Sequence, residues 1–235
     1  MATAHAPEYE RVYVWELPVR IFHWVNAGCL FVLACSGYLI GNPMTLTSAG
    51  EAYEQYWFGT LRFAHFASGF LLLFNFVIRI YWGFVGNRYQ RWARFIPHRR
   101  KDFHELIATI KVDILQTTPG MHLSIGHNAL AALSYLVLFL ATIVQICTGF
   151  ALYSSMSSWG FTGIFSWVVP LLGGDMAVRQ WHHAAMWFFI VFAVLHVYIV
   201  VYHDFVEGRG TTSSIIGGWK FERRDHLERQ EGRRR

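Results

Sequence analysis

Apolar residues along the chain fall into four long runs that are separated by polar segments. The runs cover about residues 19–40, 60–84, 128–153 and 181–203. At a rise of 1.5 Å per residue, about 20 apolar residues in a helix span the roughly 30 Å hydrocarbon core of a bilayer. The pattern therefore predicts an all-α integral membrane protein. We expect one domain built as a bundle of four transmembrane helices, with a polar tail over 204–235.

Two further segments carry other patterns. Residues 159–172 are apolar but too few to span a bilayer, and they include Gly163 and Pro170. We expect them to form an interfacial or re-entrant piece between the third and fourth spans. Residues 103–116 are expected to form a short amphipathic helix on the membrane surface.

Composition narrows the class of protein. Of the 235 residues, 54% are hydrophobic and 15% are charged, which excludes an ordinary soluble domain. The net charge is +5, but the basic residues flank the apolar runs, so they indicate membrane topology and not a nucleic-acid partner. Cys29, Cys35 and Cys147 lie inside apolar runs without metal-ligand spacing, and we expect them to be small buried hydrophobes. The polar N-terminal segment does not match a cleaved signal peptide.

The distribution of lysine and arginine predicts the orientation in the membrane. These residues concentrate between the second and third spans and in the C-terminal tail, so both segments are expected in the cytoplasm. The other two connections, 41–59 and 154–178, contain neither lysine nor arginine and are expected to face outward. Both chain termini are then cytoplasmic.

Four histidines inside the predicted spans are the main candidates for chemistry, because imidazole nitrogens in lipid need partners. His23 lies near the beginning of the first span and His65 near the beginning of the second, while the fourth carries His182 and His196. The last two are 14 residues apart, which at 100° per residue brings them within about 40° of one helix face. His183 lies well round the helix from His196. We therefore favour His182, although the sequence leaves a shift of one residue open.

The predicted topology sorts these histidines into two depths. His65 and His182 lie near the outer face, and His23 and His196 lie near the cytoplasmic face. Two histidines facing each other across a helix bundle at each depth match bis-histidine ligation of two haem irons. The third span contains no histidine and is expected to supply only packing surface.

Arginines and small residues accompany these histidines. Arg20, Arg62 and Arg179 each precede a histidine by three residues, which puts each guanidinium on the ligand's face, one turn nearer water. They are predicted to pair with haem propionates. The G-x-x-x-G at Gly37 and Gly41 is interpreted as ordinary helix packing. Room for a porphyrin is expected beside small residues one turn from each histidine: Ala27, Gly69, Ala185 and Ala193.

Other interpretations of the histidines stay open. A single membrane histidine can also hydrogen-bond a backbone carbonyl or a neighbouring helix. A histidine-lined transporter without haem is a second interpretation, but the chain has no inverted repeat and no carboxylate inside a predicted span. A cofactor-free membrane anchor would leave the repeated Arg-x-x-His spacing unexplained.

A resemblance to a known family rests on motifs that follow one another in order. The motifs are LPVRIFHW, GYLIGNP, LRFAHFASG, RIYWGFVGNRYQR, IGHNALA, TGFALYS, WHHAAMW and LHVY. Over nearly its whole length the chain resembles the b-type cytochrome subunit of membrane-bound uptake NiFe hydrogenases. It is similar, more distantly, to the cytochrome b subunit of formate dehydrogenase, and that class of quinone-linked dehydrogenase is the alternative.

The resemblance implies cofactors, partners and a location. Two haems b would be bound by His23, His65, His182 and His196, which occupy the family's ligand positions. The small iron–sulfur subunit and the large subunit of the hydrogenase would sit on the outer face of a bacterial cytoplasmic (inner) membrane. Electrons would pass through this chain to a membrane quinone. The chain would thus be an electron-transfer subunit and not the subunit that oxidises hydrogen.

Two further sites follow from that resemblance. Quinone reduction needs proton donors near the inner haem, and His127 and Asn128, with His203 and Asp204 behind them, are the candidates. The alternative interpretation is that His127 and Asn128 merely start and cap the third span. A docking surface for the iron–sulfur partner is expected on the acidic outer loops, which contain Glu51, Glu54 and Asp175.

Overall fold

The computed structural model describes residues 9–43, 56–87, 89–92, 107, 129–157, 159–207 and 210–224. Its first half contains β1 (Tyr9–Tyr13), α1 (Leu17–Gly41) and α2 (Trp57–Val85). The second half contains α3 (Ala129–Ser154), α4 (Gly160–Gly163), α5 (Val168–Leu172), α6 (Asp175–Glu207), α7 (Thr211–Gly217) and β2 (Trp219–Arg223). The protein is mostly helical.

Four of these helices, α1, α2, α3 and α6, are long and apolar enough to cross a membrane. The predicted number of spanning helices is therefore confirmed by length and composition. Large apolar side chains on their outer faces are exposed, as expected for helices that contact lipid. Examples are Phe31, Phe63 and Phe74.

The fourth spanning helix begins earlier than the sequence pattern indicates. It begins at Asp175, not near residue 181. Hydropathy falls at Arg179, but the helix continues through that polar turn. Gly173 and Gly174 have φ angles of 92° and 115°, and they turn the chain after α5. The negative charge of Asp175, in the first turn of α6, stabilises the helix by interacting with its dipole.

The predictions for the connecting segments and for the cysteines have different outcomes. The apolar segment 159–172 forms the two short helices α4 and α5. The predicted amphipathic helix at 103–116 lies outside the described residues, apart from residue 107.

Cys29 is buried and Cys147 is half-buried, but Cys35 is exposed. The expectation of three buried cysteines is wrong for Cys35, because its face of α1 is not covered by another described helix.

A two-stranded antiparallel sheet corrects the all-α expectation. Strands β1 and β2 pair in a register that runs from Tyr9↔Arg223 to Tyr13↔Trp219. Aromatic and charged residues alternate over the first four residues of β2 but not in β1, and each strand is only five residues long. Neither strand has a neighbouring hairpin partner in the sequence, so their pairing depends on bringing opposite ends of the chain together.

The chain divides into two compact units, and the first comprises Met1–Ile21, Tyr81–Val137 and His196–Arg235. We call this unit 1. Its described residues include a small core around Val14 and Tyr89. The buried Gln90 side chain donates to the carbonyl of Val14 over 2.9 Å. Both Val14 and Trp15 donate their backbone N–H groups to the carbonyl of Gly218. These contacts join the N-terminal, central and C-terminal segments of unit 1.

Glu16 adds a second junction within unit 1. Its Oε2 accepts hydrogen bonds from Trp82 Nε1 over 2.9 Å and from the backbone N–H of Asn87 over 3.0 Å. A guanidinium nitrogen of Arg20 donates to the carbonyl of Ile216. The first turn of α1 is therefore tied to both other segments of unit 1.

The second unit, unit 2, comprises Phe22–Ile80 and Leu138–Leu195. Here parts of the four spanning helices pack as a bundle. α2 meets α3 through aromatic contacts, with 4.5 Å between the ring centres of Phe76 and Phe139. α1 meets α6 through Tyr38 and Trp187, whose ring centres are 6.2 Å apart. The predicted bundle is thus present in unit 2.

Arg79 on α2 differs from its sequence-based interpretation. The sequence predicts it near the end of the second span, with its side chain reaching the headgroups. The residue is instead only 2% exposed, and its guanidinium carbon lies 5.9 Å from the ring centre of Phe22 on α1. Because α2 continues to Val85, Arg79 lies inside the helix and packs against α1.

Candidate functional site

Two of the predicted histidines meet inside unit 2. His65 on α2 and His182 on α6 are both half-buried, and their ring centres lie 6.4 Å apart with an angle of 69° between the ring planes. The two residues come from helices that are far apart in the sequence. The bundle therefore brings together the two histidines that the sequence predicts at the outer depth.

A hydroxyl group contacts Nδ1 of each ring. Ser36 Oγ on α1 lies 2.9 Å from His65 Nδ1, and Thr148 Oγ1 on α3 lies 2.9 Å from His182 Nδ1. Both hydroxyl residues are only 2% exposed. The His182 ring has a further neighbour, because Gln145 Nε2 lies 3.4 Å from its Nε2. The expectation that α3 supplies only packing surface is wrong, since α3 contributes polar contacts to this site.

Glycines allow the helices to approach these rings closely. A Cβ atom placed on Gly37 would lie 3.2 Å from His65 Cε1, and one placed on Gly149 would lie 3.1 Å from His182 Cε1. A Cβ atom on Gly41 would collide with the ring of His183. The G-x-x-x-G on α1 thus serves packing of a specific kind, because both of its glycines contact histidine side chains of other helices.

The structure separates the two adjacent histidines on α6. His182 lies beside Thr148 and Gln145 and faces His65. His183 instead lies against Gly41 on α1. This geometry favours His182 as the partner of His65. Its role as a haem ligand stays a prediction.

The dimensions of the His65–His182 site fit one metal held between two imidazoles. A metal–nitrogen bond of about 2 Å, with about 1 Å from the ring nitrogen to the ring centre, puts the centres of two such rings about 6 Å apart. The observed distance is 6.4 Å. Both Nδ1 atoms contact hydroxyl groups, and the second ring nitrogen of a metal-bound histidine usually has a hydrogen-bond partner. Gly69, one turn from His65, has open space at its Cβ position. The residues present therefore suit a haem.

The two histidines predicted at the inner depth belong to different units. His23 lies in unit 2, is half-buried and has its ring edge-on to Trp24 at 5.1 Å between centres. His196 lies in unit 1 and is exposed. Their pairing stays a prediction.

The three predicted propionate partners have different surroundings. Arg20 is half-buried and contacts Ile216, as described above. Arg62 is exposed, with its guanidinium carbon 5.0 Å from the ring centre of Phe58. Arg179 is exposed on the second turn of α6. The outer two arginines therefore leave their charged groups accessible at the surface of the protein.

The predicted quinone and docking residues fall largely on parts of the chain that lie outside the described residues. His127 and Asn128 do so, as do Glu51 and Glu54. His203 is part of the last two turns of α6. Two predicted acidic residues are described. Asp175 is exposed at the beginning of α6, and Asp204 has a buried Oδ1 without a hydrogen-bond partner among the described residues.

Sequence reasoning missed the residues that surround the two rings. Ser36 is 29 residues from His65, so no local spacing connects them. On α3, however, a signal was available: Gln145, Thr148 and Gly149 share one face at offsets of three and four. Polar residues and glycine along one stripe of an apolar helix indicate a face that packs against something other than lipid.

Comparison with known proteins adds independent findings. A family model described as prokaryotic cytochrome b561 matches residues 14–218. A protein of Azotobacter vinelandii is 40% identical over 220 residues, which cover 91% of this chain and 90% of the relative. A protein of Bradyrhizobium diazoefficiens is 42% identical over 213 residues, covering 88% and 85%. Both carry the name "Probable Ni/Fe-hydrogenase B-type cytochrome subunit".

A third relative comes from Escherichia coli K12. It is 34% identical over 212 residues, which cover 88% of this chain and 90% of the relative. Its name is "Probable Ni/Fe-hydrogenase 1 B-type cytochrome subunit". The similarity to all three proteins extends over most of both chains, so it includes all four spanning helices.

Proposed function

Because the chain belongs to the prokaryotic cytochrome b561 family, we propose that it is the dihaem membrane subunit of a NiFe hydrogenase. In this role it anchors the hydrogenase to the membrane and connects it to the quinone pool. The relatives named as hydrogenase cytochrome subunits support the choice of partner. A haem b and four apolar helices follow from the family and the fold. The second haem, the quinone and the subunit contacts belong to the proposal.

The observation that carries the proposal is the meeting of His65 and His182. Their ring centres lie 6.4 Å apart in the apolar interior of unit 2. A lone membrane histidine has several uses, but two imidazoles at this distance, each held at Nδ1, have the arrangement that an axially ligated haem needs. A hydrogen-bonded structural pair would instead require direct contact between ring nitrogens.

Histidines and arginines of the chain have different roles in the proposed haem binding. His65 and His182 would hold one haem, and His23 and His196 would hold the other. When bound, the two haems supply one-electron carriers between the hydrogenase's iron–sulfur subunit and a membrane quinone. Arg62 and Arg179 are exposed one turn before the outer histidines, where they can pair with propionates, and Arg20 has the same offset from His23.

The orientation and the quinone site extend the proposal. Both termini lie in the cytoplasm of a bacterial cell with the chain in the inner membrane, because lysine and arginine concentrate in the tail and in the connection between α2 and α3. The small and large hydrogenase subunits contact the outer face. Quinone binds near the inner haem, with His127, Asn128 and His203 as the candidate contacts. Asp204 Oδ1 is buried and has no hydrogen-bond partner among the described residues, which supports a proton-accepting site at that end of α6.

Haem quantitation in the purified hydrogenase complex tests the ligand assignment. Reduced-minus-oxidised spectra with pyridine haemochrome analysis should give two haems b per chain. His65→Ala and His182→Ala should each reduce this number to one, whereas the matched control His183→Ala should leave two. If His183→Ala lost a haem while His182→Ala kept both, the assignment on α6 would be wrong. A single haem in the unaltered protein would contradict the dihaem proposal.

The same complex tests the partner and the quinone contacts. Co-purification of a NiFe hydrogenase with this chain supports the proposal, and co-purification of a different dehydrogenase overturns it. Alanine at both His127 and Asn128 should lower hydrogen-dependent quinone reduction while both haems remain. Unchanged reduction would exclude these two residues from the quinone site.

A further inference from the structure

The two hydroxyl residues beside the histidines are followed by the two glycines that make room for the same rings. Ser36 contacts His65 Nδ1 and Gly37 lies against His65 Cε1. Thr148 contacts His182 Nδ1 and Gly149 lies against His182 Cε1. We call Ser36–Gly37 and Thr148–Gly149 the hydroxyl–glycine pairs.

The hydroxyl–glycine pairs belong to a short sequence repeat. The first lies in Cys-Ser-Gly-Tyr on α1 and the second in Cys-Thr-Gly-Phe on α3. The histidines that they contact also share a pattern, since each follows an arginine by three residues. The two halves of the site are thus built alike. The pair on α1 contacts the histidine of α2, and the pair on α3 contacts the histidine of α6.

Each hydroxyl has a second contact that determines the direction of its hydrogen bonds. Ser36 Oγ lies 2.5 Å from the carbonyl oxygen of Val32, and Thr148 Oγ1 lies 2.7 Å from the carbonyl oxygen of Val144. A hydroxyl group has only one proton, and a carbonyl oxygen can only accept. Each hydroxyl therefore donates to its own helix and accepts from the imidazole.

This direction determines the tautomer of both histidines. If the hydroxyl oxygen accepts, the proton must be on Nδ1 of His65 and of His182. A neutral imidazole with its proton on Nδ1 has an unprotonated Nε2, which is the atom that can bind a metal. The same argument holds independently for each ring.

We propose that the hydroxyl–glycine pairs position both axial ligands of the outer haem and lower its reduction potential. The inference rests on the proposed function, in which His65 and His182 bind that haem. Ser36 and Thr148 are positioning residues, because they act through the histidines. Each hydroxyl oxygen accepts a hydrogen bond from Nδ1–H of its histidine. This contact increases electron donation from Nε2 to the iron, which favours the oxidised iron. The glycines leave room for each ring to approach the neighbouring helix, where it contacts the hydroxyl group.

Removal of the hydroxyls in the haem-loaded complex tests the proposal. Ser36→Ala and Thr148→Val should raise the reduction potential of one of the two haems and leave the other unchanged in a spectroelectrochemical titration. Loss of a hydrogen-bond partner of a metal-binding histidine typically weakens metal binding by about 10–100-fold. If the loss favours reduced over oxidised iron by about tenfold, the potential rises by about 59 mV for this one-electron couple. Ser36→Thr and Thr148→Ser should restore the original potential.

A matched control is available on α3. Thr142 is also buried and also donates to the carbonyl four residues earlier, that of Leu138, over 2.8 Å. The hydroxyl group of Thr142 contacts that backbone oxygen and, among the described residues, no histidine. Thr142→Val should therefore leave both potentials unchanged. A shift as large as that of Thr148→Val would show that any lost helix contact moves the potential, and would overturn the proposal.

The remaining outcomes separate this inference from the proposed function. Unchanged potentials in Ser36→Ala and Thr148→Val, with both haems retained, overturn the inference and leave the function standing. Two retained haems in His65→Ala overturn the ligand assignment itself. If an alanine or valine variant does not assemble, Ser36→Cys and Thr148→Cys provide the test, because a thiol is a weaker acceptor and should give a smaller rise. No rise in these variants also overturns the inference.

Discussion

Several long-range polar contacts of unit 1 join segments of the chain, whereas several polar contacts of unit 2 meet on two imidazole rings. In unit 1, Gln90 and Arg20 donate to backbone carbonyl oxygens of segments that are far away in the sequence. In unit 2, Ser36, Thr148 and Gln145 contact imidazole nitrogens. Backbone contacts hold segments together whatever chemistry follows. Contacts that converge on ring nitrogens instead orient those rings, so these contacts of unit 2 position a site, whereas those of unit 1 join segments of the chain.

The glycines of the two units make the same distinction. Gly218 in unit 1 has a φ angle of 88°, and a Cβ atom there would lie 2.8 Å from the carbonyl oxygen of Trp15. It is needed for the shape of the backbone. Gly37 and Gly149 in unit 2 have ordinary helical backbones, and a side chain there would press on an imidazole. They are needed for the space beside the rings.

The largest effect is expected from filling that space. Gly37→Val and Gly149→Val should displace the His65 or His182 ring, because overpacking a tight contact costs about 1–3 kcal/mol and the ring is the group that can move. Haem content should fall from two to one per chain. Gly28→Val on α1 is the control, since nothing lies within 4 Å of a Cβ atom at Gly28. Full haem content in both Gly37→Val and Gly149→Val would show that these glycines are not needed for the space beside the rings.

A smaller effect, of a different kind, is expected in unit 1. Glu16→Ala removes the acceptor of Trp82 Nε1 and of the Asn87 backbone N–H, and each unsatisfied donor costs about 1–3 kcal/mol. The midpoint of thermal unfolding in detergent should fall while the haem spectrum stays unchanged. Glu10→Ala, at an exposed position on β1, should leave the midpoint near its original value. A spectral change in Glu16→Ala would mean that this junction also shapes the proposed haem site of His23 and His196.

The smallest effect is expected on the two-stranded sheet. Arg11 has its guanidinium carbon 4.6 Å from the ring centre of Trp219, and both side chains are exposed. Arg11→Ala should lower stability by about 0.5–1 kcal/mol, the usual value for an exposed cation–π contact. Arg11→Lys should retain part of this contact. The thermal midpoint again provides the measurement, and a drop larger than that of Glu16→Ala would reverse the expected order.

Much of this protein could be predicted because its strongest signals are local. The four spans stand out because a helix in lipid must be apolar over its whole length and satisfies its own backbone hydrogen bonds. His65 and His182 stand out because a polar ring in such a run is unusual. Helical phase also favours His182 over His183 without any knowledge of the neighbouring helices. The ordered motifs identified the family that the comparisons support.

Other predictions went wrong where a distant segment decides the outcome. The side chain of Arg79 was expected to reach the headgroups, but Phe22 on another helix covers it. The termini were expected to lack strands, but β1 and β2 pair across almost the whole chain. α3 was expected to supply only packing, but it contacts His182 through Thr148. In each case the sequence near the residue contains no sign of its partner.

The sequence by itself determined the number of spanning helices, the histidines available inside them and the family, because hydropathy and helical phase act over a few turns of one segment. Only the tertiary structure decided which hydroxyl meets which ring, how close His65 and His182 lie, and that the two ends of the chain form one sheet. Those features depend on the rotation and packing of separate helices, and a difference of one residue in helical phase turns a side chain by 100° and directs it to a different neighbour.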